Sequence, residues 1–229
     1  MIRTKVTLPP CVKKIRFKSK NTIPTTLQLV GEITEESATE LIESIVKCYE
    51  AMQSIIPIVI NSEGGCVYSA ISICNTLKSA PQGCKVVTIV SGACMSASVL
   101  IFSCGQQRII HHDGIVMIHD VLISGLEGSL TNIKTEAIEM ERINRLMYKQ
   151  LALNVGQEDE NYFLNLKRNN TDHYLSPEAC VASKLATDIV NNMPVLSVDL
   201  SITMDMILEK SENKHTSSSG REKKRQKTI

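Results

Sequence analysis

The sequence predicts an α/β domain built on a largely parallel sheet, and three observations carry that prediction. Ile55–Ile60 and Lys85–Val90 are β-branched and almost wholly apolar, as strands covered on both faces should be. Segments with apolar residues at helical spacing precede and separate them. The order strand, helix, strand, helix then recurs, which favours parallel strands joined by helical crossovers.

The elements follow in order. Leu27-Gln-Leu-Val30 reads as a short strand closed by Gly31. Residues 35–53 place Ala38, Leu41, Ile42, Ile45 and Val46 on one helical stripe. After the strand at 55–60, Ser62-Glu-Gly-Gly65 breaks the chain, and Val67–Leu77 reads as a helix that Gly83 separates from the next strand. Gly92–Met95 is a tight run of small residues leading into Ser96–Ser103, apolar enough for a buried helix. Arg108–Ile110 and Ile115–Ile118 predict two short strands. Residues 131–153 form the longest helical pattern, with Ile133, Ala137, Met140, Met147 and Leu151 on one face and Thr131 as its expected cap. Because Gly125 and Gly128 precede it, this helix is expected to project from the body. Ser176-Pro-Glu-Ala179 opens a further helix, with Pro177 at the favoured first position.

Composition limits the classes to consider. With 43% hydrophobic and 21% charged residues, the chain has the balance of a soluble globular domain. No apolar run approaches the ~18 residues of a membrane span, and the first twenty residues lack the apolar core of a secretory signal. The net charge of +1 conceals an asymmetry: residues 1–20 hold seven Lys/Arg and no acid, residues 209–229 are net +4, and the body between them is net −10. We read 1–24 as a basic arm, 25–208 as the domain and 209–229 as a disordered basic tail. Such ends act as solubilising tails, and nucleic acid is not an expected partner. A loose likeness of the arm to a transit peptide is countered by Pro9-Pro10 and the single Ser19. The eight cysteines show no C-x-x-C pairing and sit mostly in apolar stretches, which predicts reduced thiols, a cytoplasmic setting and no zinc site. His111-His112-Asp113 could suggest a metal but reads as a turn between strands.

Three segments invite chemistry. Asn61-Ser-Glu-Gly-Gly65 ends a strand with paired glycines that free the backbone to present N–H groups. Gly92-Ala-Cys-Met-Ser96 also follows a strand, placing a serine at a helix start where free N–H groups favour a developing oxyanion. Met117-Ile-His119 supplies a strand-end histidine suited to a general base. Taken singly, each is as well explained by packing, and Cys94, Ser96 and Ser98 all remain candidate nucleophiles.

Their order is more specific. Asn-Ser-x-Gly-Gly, then Gly-x-x-x-Ser, then Met-Ile-His, then Asp172-His-Tyr-Leu-Ser-Pro-Glu-Ala179 resembles the ClpP family, the proteolytic subunit of the ATP-dependent Clp protease, from about Leu27 to Val190. Members read Gly-x-Ala-x-Ser with another glycine nine residues after the serine; Gly92 and Gly105 both then select Ser96. His119 follows by 23 positions, similar to the shorter phage-like members. The resemblance implies Ser96, His119 and Asp172 as catalytic triad, with Asp120 and Asp113 as rival acids. It implies Gly65 and Ala97 as oxyanion-hole donors, and Gly64 and Glu63 as neighbours of the substrate strand.

The same resemblance implies the ClpP/crotonase-type fold of repeated ββα units, with 131–153 as the projecting handle helix. It also implies a serine endopeptidase without metal or organic cofactor, acting on unfolded polypeptides inside a homo-oligomeric chamber. That chamber would be a heptameric ring, stacked as two, fed by a Clp-type AAA+ ATPase. Two other readings are a catalytically silent ring subunit or scaffold, and a crotonase-like acyl-CoA enzyme. The sequence departs from the family at Glu63, where proline is usual, at Val121 for another proline, and at Ser98. The segment before Leu27 does not match the loop that docks the ATPase.

Overall fold

A computed structural model describes residues 25–192, apart from 124, 126 and 167–171. The expected arm at 1–24, the tail at 209–229 and the expected domain end after 192 lie outside the described residues. The elements are β1 (Leu27–Ile33), α1 (Glu35–Glu50), β2 (Ile55–Gly65), α2 (Val67–Lys78), β3 (Lys85–Met95), α3 (Ala97–Ser103) and β4 (Gln107–His111). They continue as β5 (Ile115–Ile118), α4 (Leu130–Val155), α5 (Tyr162–Leu166), β6 (His173–Leu175), α6 (Pro177–Ala182) and β7 (Asp188–Val190).

The sheet has seven strands in the order β1-β2-β3-β4-β7, all parallel, with β5 parallel to β3 and β6 antiparallel to β5. This is the predicted α/β class, with strands and helices alternating from β1 to β4. Strand β2 changes register between Ile60 and Ser62, and β3 pairs with β4 over Val87–Val90 but with β5 over Ala93–Met95. Strand β3 therefore serves two neighbours in turn, and the second halves of β2 and β3 both lead into the following helix.

Apolar periodicity located most element starts and missed several ends. Residues 61–65 and 91–94 are polar or small, so nothing in their pattern marked them as strand; their backbone pairing does. Gly31 lies inside β1, at a bulge with φ of 79°, and does not close it. In α1 the buried stripe is Ala38, Leu41, Ile45 and Cys48, while Val46 is exposed because a 3.6-residue period carries it off the face. Ser129, not Thr131, caps α4 by accepting from Asn132 N–H at 3.2 Å. The first buried residue of α4 is Ile143, so Ala137 is exposed and Ile133 and Met140 only half-buried; the first three turns bury no side chain.

The core lies between the sheet and α1, α2 and α3, and the lower half of α4 closes over α3. Arg108 ties β4 to the α6–β7 turn: the residue is 8% exposed, and its guanidinium donates to Leu185 O, Gly105 O and Lys184 O at 2.8–2.9 Å. No helix among the described residues is long and apolar enough to cross a membrane.

Candidate active site

The site is built where β3 breaks into α3. Ser96 sits at that break with φ 54° and ψ −128°, a conformation L-residues rarely adopt and one that costs about 1–3 kcal/mol. Its N–H donates to Met117 O of β5 at 2.8 Å, tying the bend to the strand that carries the histidine. Gly64 makes the bend possible from the other side. A Cβ at Gly64 would lie 2.6 Å from Ser96 Cβ, 2.7 Å from Met95 O and 3.1 Å from Ala97 N, so the backbone of β2 touches the serine turn.

His119 follows the last residue of β5, and its Nε2 lies 2.7 Å from Ser96 Oγ. Asp172 precedes β6, whose antiparallel register pairs Ile118 with His173 and so brings position 172 opposite 119. The Asp172 Oδ1 to His119 Nδ1 distance is 3.9 Å, longer than a hydrogen bond, and the Asp172 side chain is 56% exposed against 14% for His119. The three residues are thus brought together, with a tight serine–histidine contact and a looser histidine–aspartate one.

The rival nucleophiles are spoken for. Ser98 is fully buried, with its Oγ 2.7 Å from Met95 O and 3.1 Å from Ser62 O. Cys94 is equally buried, and burial pushes its thiol up to about 12, far from a thiolate at neutral pH. Among the rival acids, Asp113 lies in the β4–β5 turn with its carboxylate 3.0 Å from His112 Nε2. That turn also brings His111, His112 and Asp113 donor atoms within 4.8 Å of one another. The other rival, Asp120, accepts from Asn144 Nδ2 of α4 at 2.9 Å.

Around the serine the backbone supplies N–H groups. Cys66 N–H donates to Ile33 O at 2.8 Å, and Gly64 N–H donates to Ser62 Oγ at 3.1 Å. Ala97 N, at the first turn of α3, has no fourth-preceding helical carbonyl to meet. A groove of about 540 Å³ runs past Ser96 and His119, bounded by Glu32 and Glu63 at β1 and β2, Tyr68 on α2, and Met140 and Met147 on α4. Glu63 and Gly65 are exposed on it and Gly64 is buried beneath. A smaller apolar recess opens beside the serine between Val99, Leu100, Met147 and Leu151.

Two groove-side residues escaped the sequence reading. Cys66 is the N-cap residue before α2, is exposed, and has its pKa lowered chiefly by hydrogen bonding from Ser69. Asn144 contacts the chain after His119 from 23 residues away. A half-buried asparagine in a long helix carries no local signal, so neither spacing nor periodicity could have found it. The family model described as Clp protease matches residues 17–193, well over half of the 229 residues, and the chain belongs to that family.

Proposed function

We propose that the chain is a serine endopeptidase in which Ser96 attacks, His119 carries the proton and Asp172 orients the imidazole. The observation that carries this reading is the 2.7 Å approach of His119 Nε2 to a hydroxyl held at a strained strand-to-helix turn. With its proton on Nδ1, facing Asp172, the imidazole accepts the Ser96 proton at Nε2 as Oγ bonds to the peptide carbonyl carbon. The negative charge on the carbonyl oxygen is met by the N–H groups of Gly65 and Ala97. The imidazolium gives its proton to the departing amine, leaving an acyl-serine. Water, deprotonated by the same nitrogen, then releases the acid and restores the serine.

An extended peptide lying along the groove would meet the β2 edge at Glu63–Gly65, with one side chain entering the apolar recess beside Leu100 and Met147. Family membership supports a ring-shaped oligomer in which such sites face an enclosed chamber, with the exposed Leu130 and Ile138 of the handle covered by another subunit. The proposal includes unfolded polypeptide substrates, an AAA+ ATPase to deliver them and a phage-like ancestry. Cys48, Cys74, Cys94 and Cys180 serve as small core residues, which suits the proposed reducing, cytoplasmic setting.

The test is hydrolysis of a fluorogenic peptide by wild type and Ser96→Ala. A wild-type rate at least 10³-fold above the variant is expected from removal of a triad nucleophile. Equal rates would leave the silent-scaffold reading in its place.

A further inference from the structure

We propose that Asn144 is a positioning residue for the catalytic base, clamping the two residues that follow His119 with one side-chain amide. The proposal rests on the peptidase reading above.

Strand β5 ends at Ile118, and the chain then leaves the sheet toward an exposed segment in which Leu122 is 78% accessible. His119 therefore stands at the last point of ladder support. Asp172 offers its ring only the loose 3.9 Å contact, from an exposed side chain. The imidazole nevertheless lies 2.7 Å from Ser96 Oγ, so something else fixes the backbone behind it.

Asn144 does this at two adjacent points. Its Oδ1 accepts from Val121 N–H at 3.0 Å, and its Nδ2 donates to Asp120 Oδ1 at 2.9 Å. A planar amide holds donor and acceptor at a fixed separation, so residues 120 and 121 cannot swing independently of α4. One turn further along, Tyr148 is 5% exposed, and its hydroxyl lies near the Asp120 carboxylate, short of a well-formed hydrogen bond. Burial and that carboxylate both raise the Tyr148 pKa, keeping the phenol neutral against Asp120. Asn144 and Tyr148 also line the recess beside Ser96 and His119, so the base of the handle and the general base form one unit. An error of about 1 Å in such a group costs on the order of 10²-fold in rate.

The chemistry of the clamp specifies its test. Asn144→Asp keeps the acceptor for Val121 N–H but sets a second carboxylate against Asp120. In the full-length protein at pH 8, kcat is expected to fall about 10–100-fold with KM within about twofold. The deficit of this variant relative to wild type, compared at the same pH, should shrink toward pH 6 as the carboxylate pair takes up a shared proton. The exchange Asp120→Asn with Asn144→Asp restores a donor at 120 and an acceptor at 144. It should return kcat to within about fivefold of wild type, with the wild-type pH profile. Wild-type kcat in Asn144→Asp, or a double variant no better than the single one, overturns the proposal. Ser96→Ala run in parallel separates the two readings. Loss of serine dependence removes the peptidase reading itself, whereas a serine-dependent wild type with an unaffected Asn144→Asp removes the clamp alone.

Discussion

Gly64→Ala probes the serine turn without touching a reacting atom. The residue has φ of +99°, where an alanine costs about 1–2 kcal/mol, and its new methyl would lie 2.6 Å from Ser96 Cβ and 2.7 Å from Met95 O. Both neighbours are fixed: one is the nucleophile's own side-chain root and the other is backbone. Relief must come from separating β2 from the β3–α3 bend, which adds about 1–3 kcal/mol. The sum, about 2–5 kcal/mol, corresponds to a Tm lower by roughly 4–20 °C for a domain of this size. The bend carries Ala97 N, 3.1 Å from the added methyl, so the proposed oxyanion donor moves with it. A displacement near 1 Å predicts about a 10²-fold lower acylation rate, measured as the rate of active-site phosphonate labelling on protein confirmed folded. Gly83→Ala is the control, because its φ is +87° and nothing lies within 4 Å of the added methyl. It should show only the dihedral cost, with labelling unchanged. A Gly64→Ala protein that labels at the wild-type rate would refute the claim that this contact shapes the site.

Other outcomes follow from the same geometry. Asp172→Asn should lower kcat/KM by clearly less than the ~10⁴-fold seen for a buried triad aspartate, because the wild-type contact is 3.9 Å and solvent-exposed; steady-state peptide hydrolysis measures it. Brief alkylation at pH 7.5 should modify Cys66, exposed and with lowered pKa, and spare Cys94, buried and pushed up to about 12; peptide mass mapping distinguishes them. Arg108→Met leaves the carbonyls of Gly105, Lys184 and Leu185 without their donor, for a loss of about 3 kcal/mol or more and a Tm lower by roughly 6–12 °C in thermal unfolding.

The legible part of this protein was the part written in apolar pattern. Runs such as Ile55–Ile60 announced strands because Ile56, Ile58 and Ile60 point into the core and are fully buried, and the Ser176-Pro177 start of α6 was plain from its cap and first-turn proline. Strand continuations at 61–65 and 91–95 were hidden. Glycine, serine and asparagine there are chosen for close approach: Asn61 Oδ1 accepts from Ala93 N–H at 2.9 Å, and a Cβ on Gly92 would meet that same oxygen. Strands β6 and β7 have three residues each, too few for a period to show. At the site, ordered motifs led to Ser96, His119 and Asp172, and the fold brings all three together. Asn144 and the role of Asp120 stayed hidden because they depend on contacts across 23 and 24 residues that only folding creates.

Labelling with a serine-directed fluorophosphonate, followed by mapping of the modified peptide, tests the central claim most directly. A single adduct on Ser96, lost in His119→Ala, is the predicted result. An adduct on Ser98 or Cys94, or peptide hydrolysis that persists in Ser96→Ala, would contradict it.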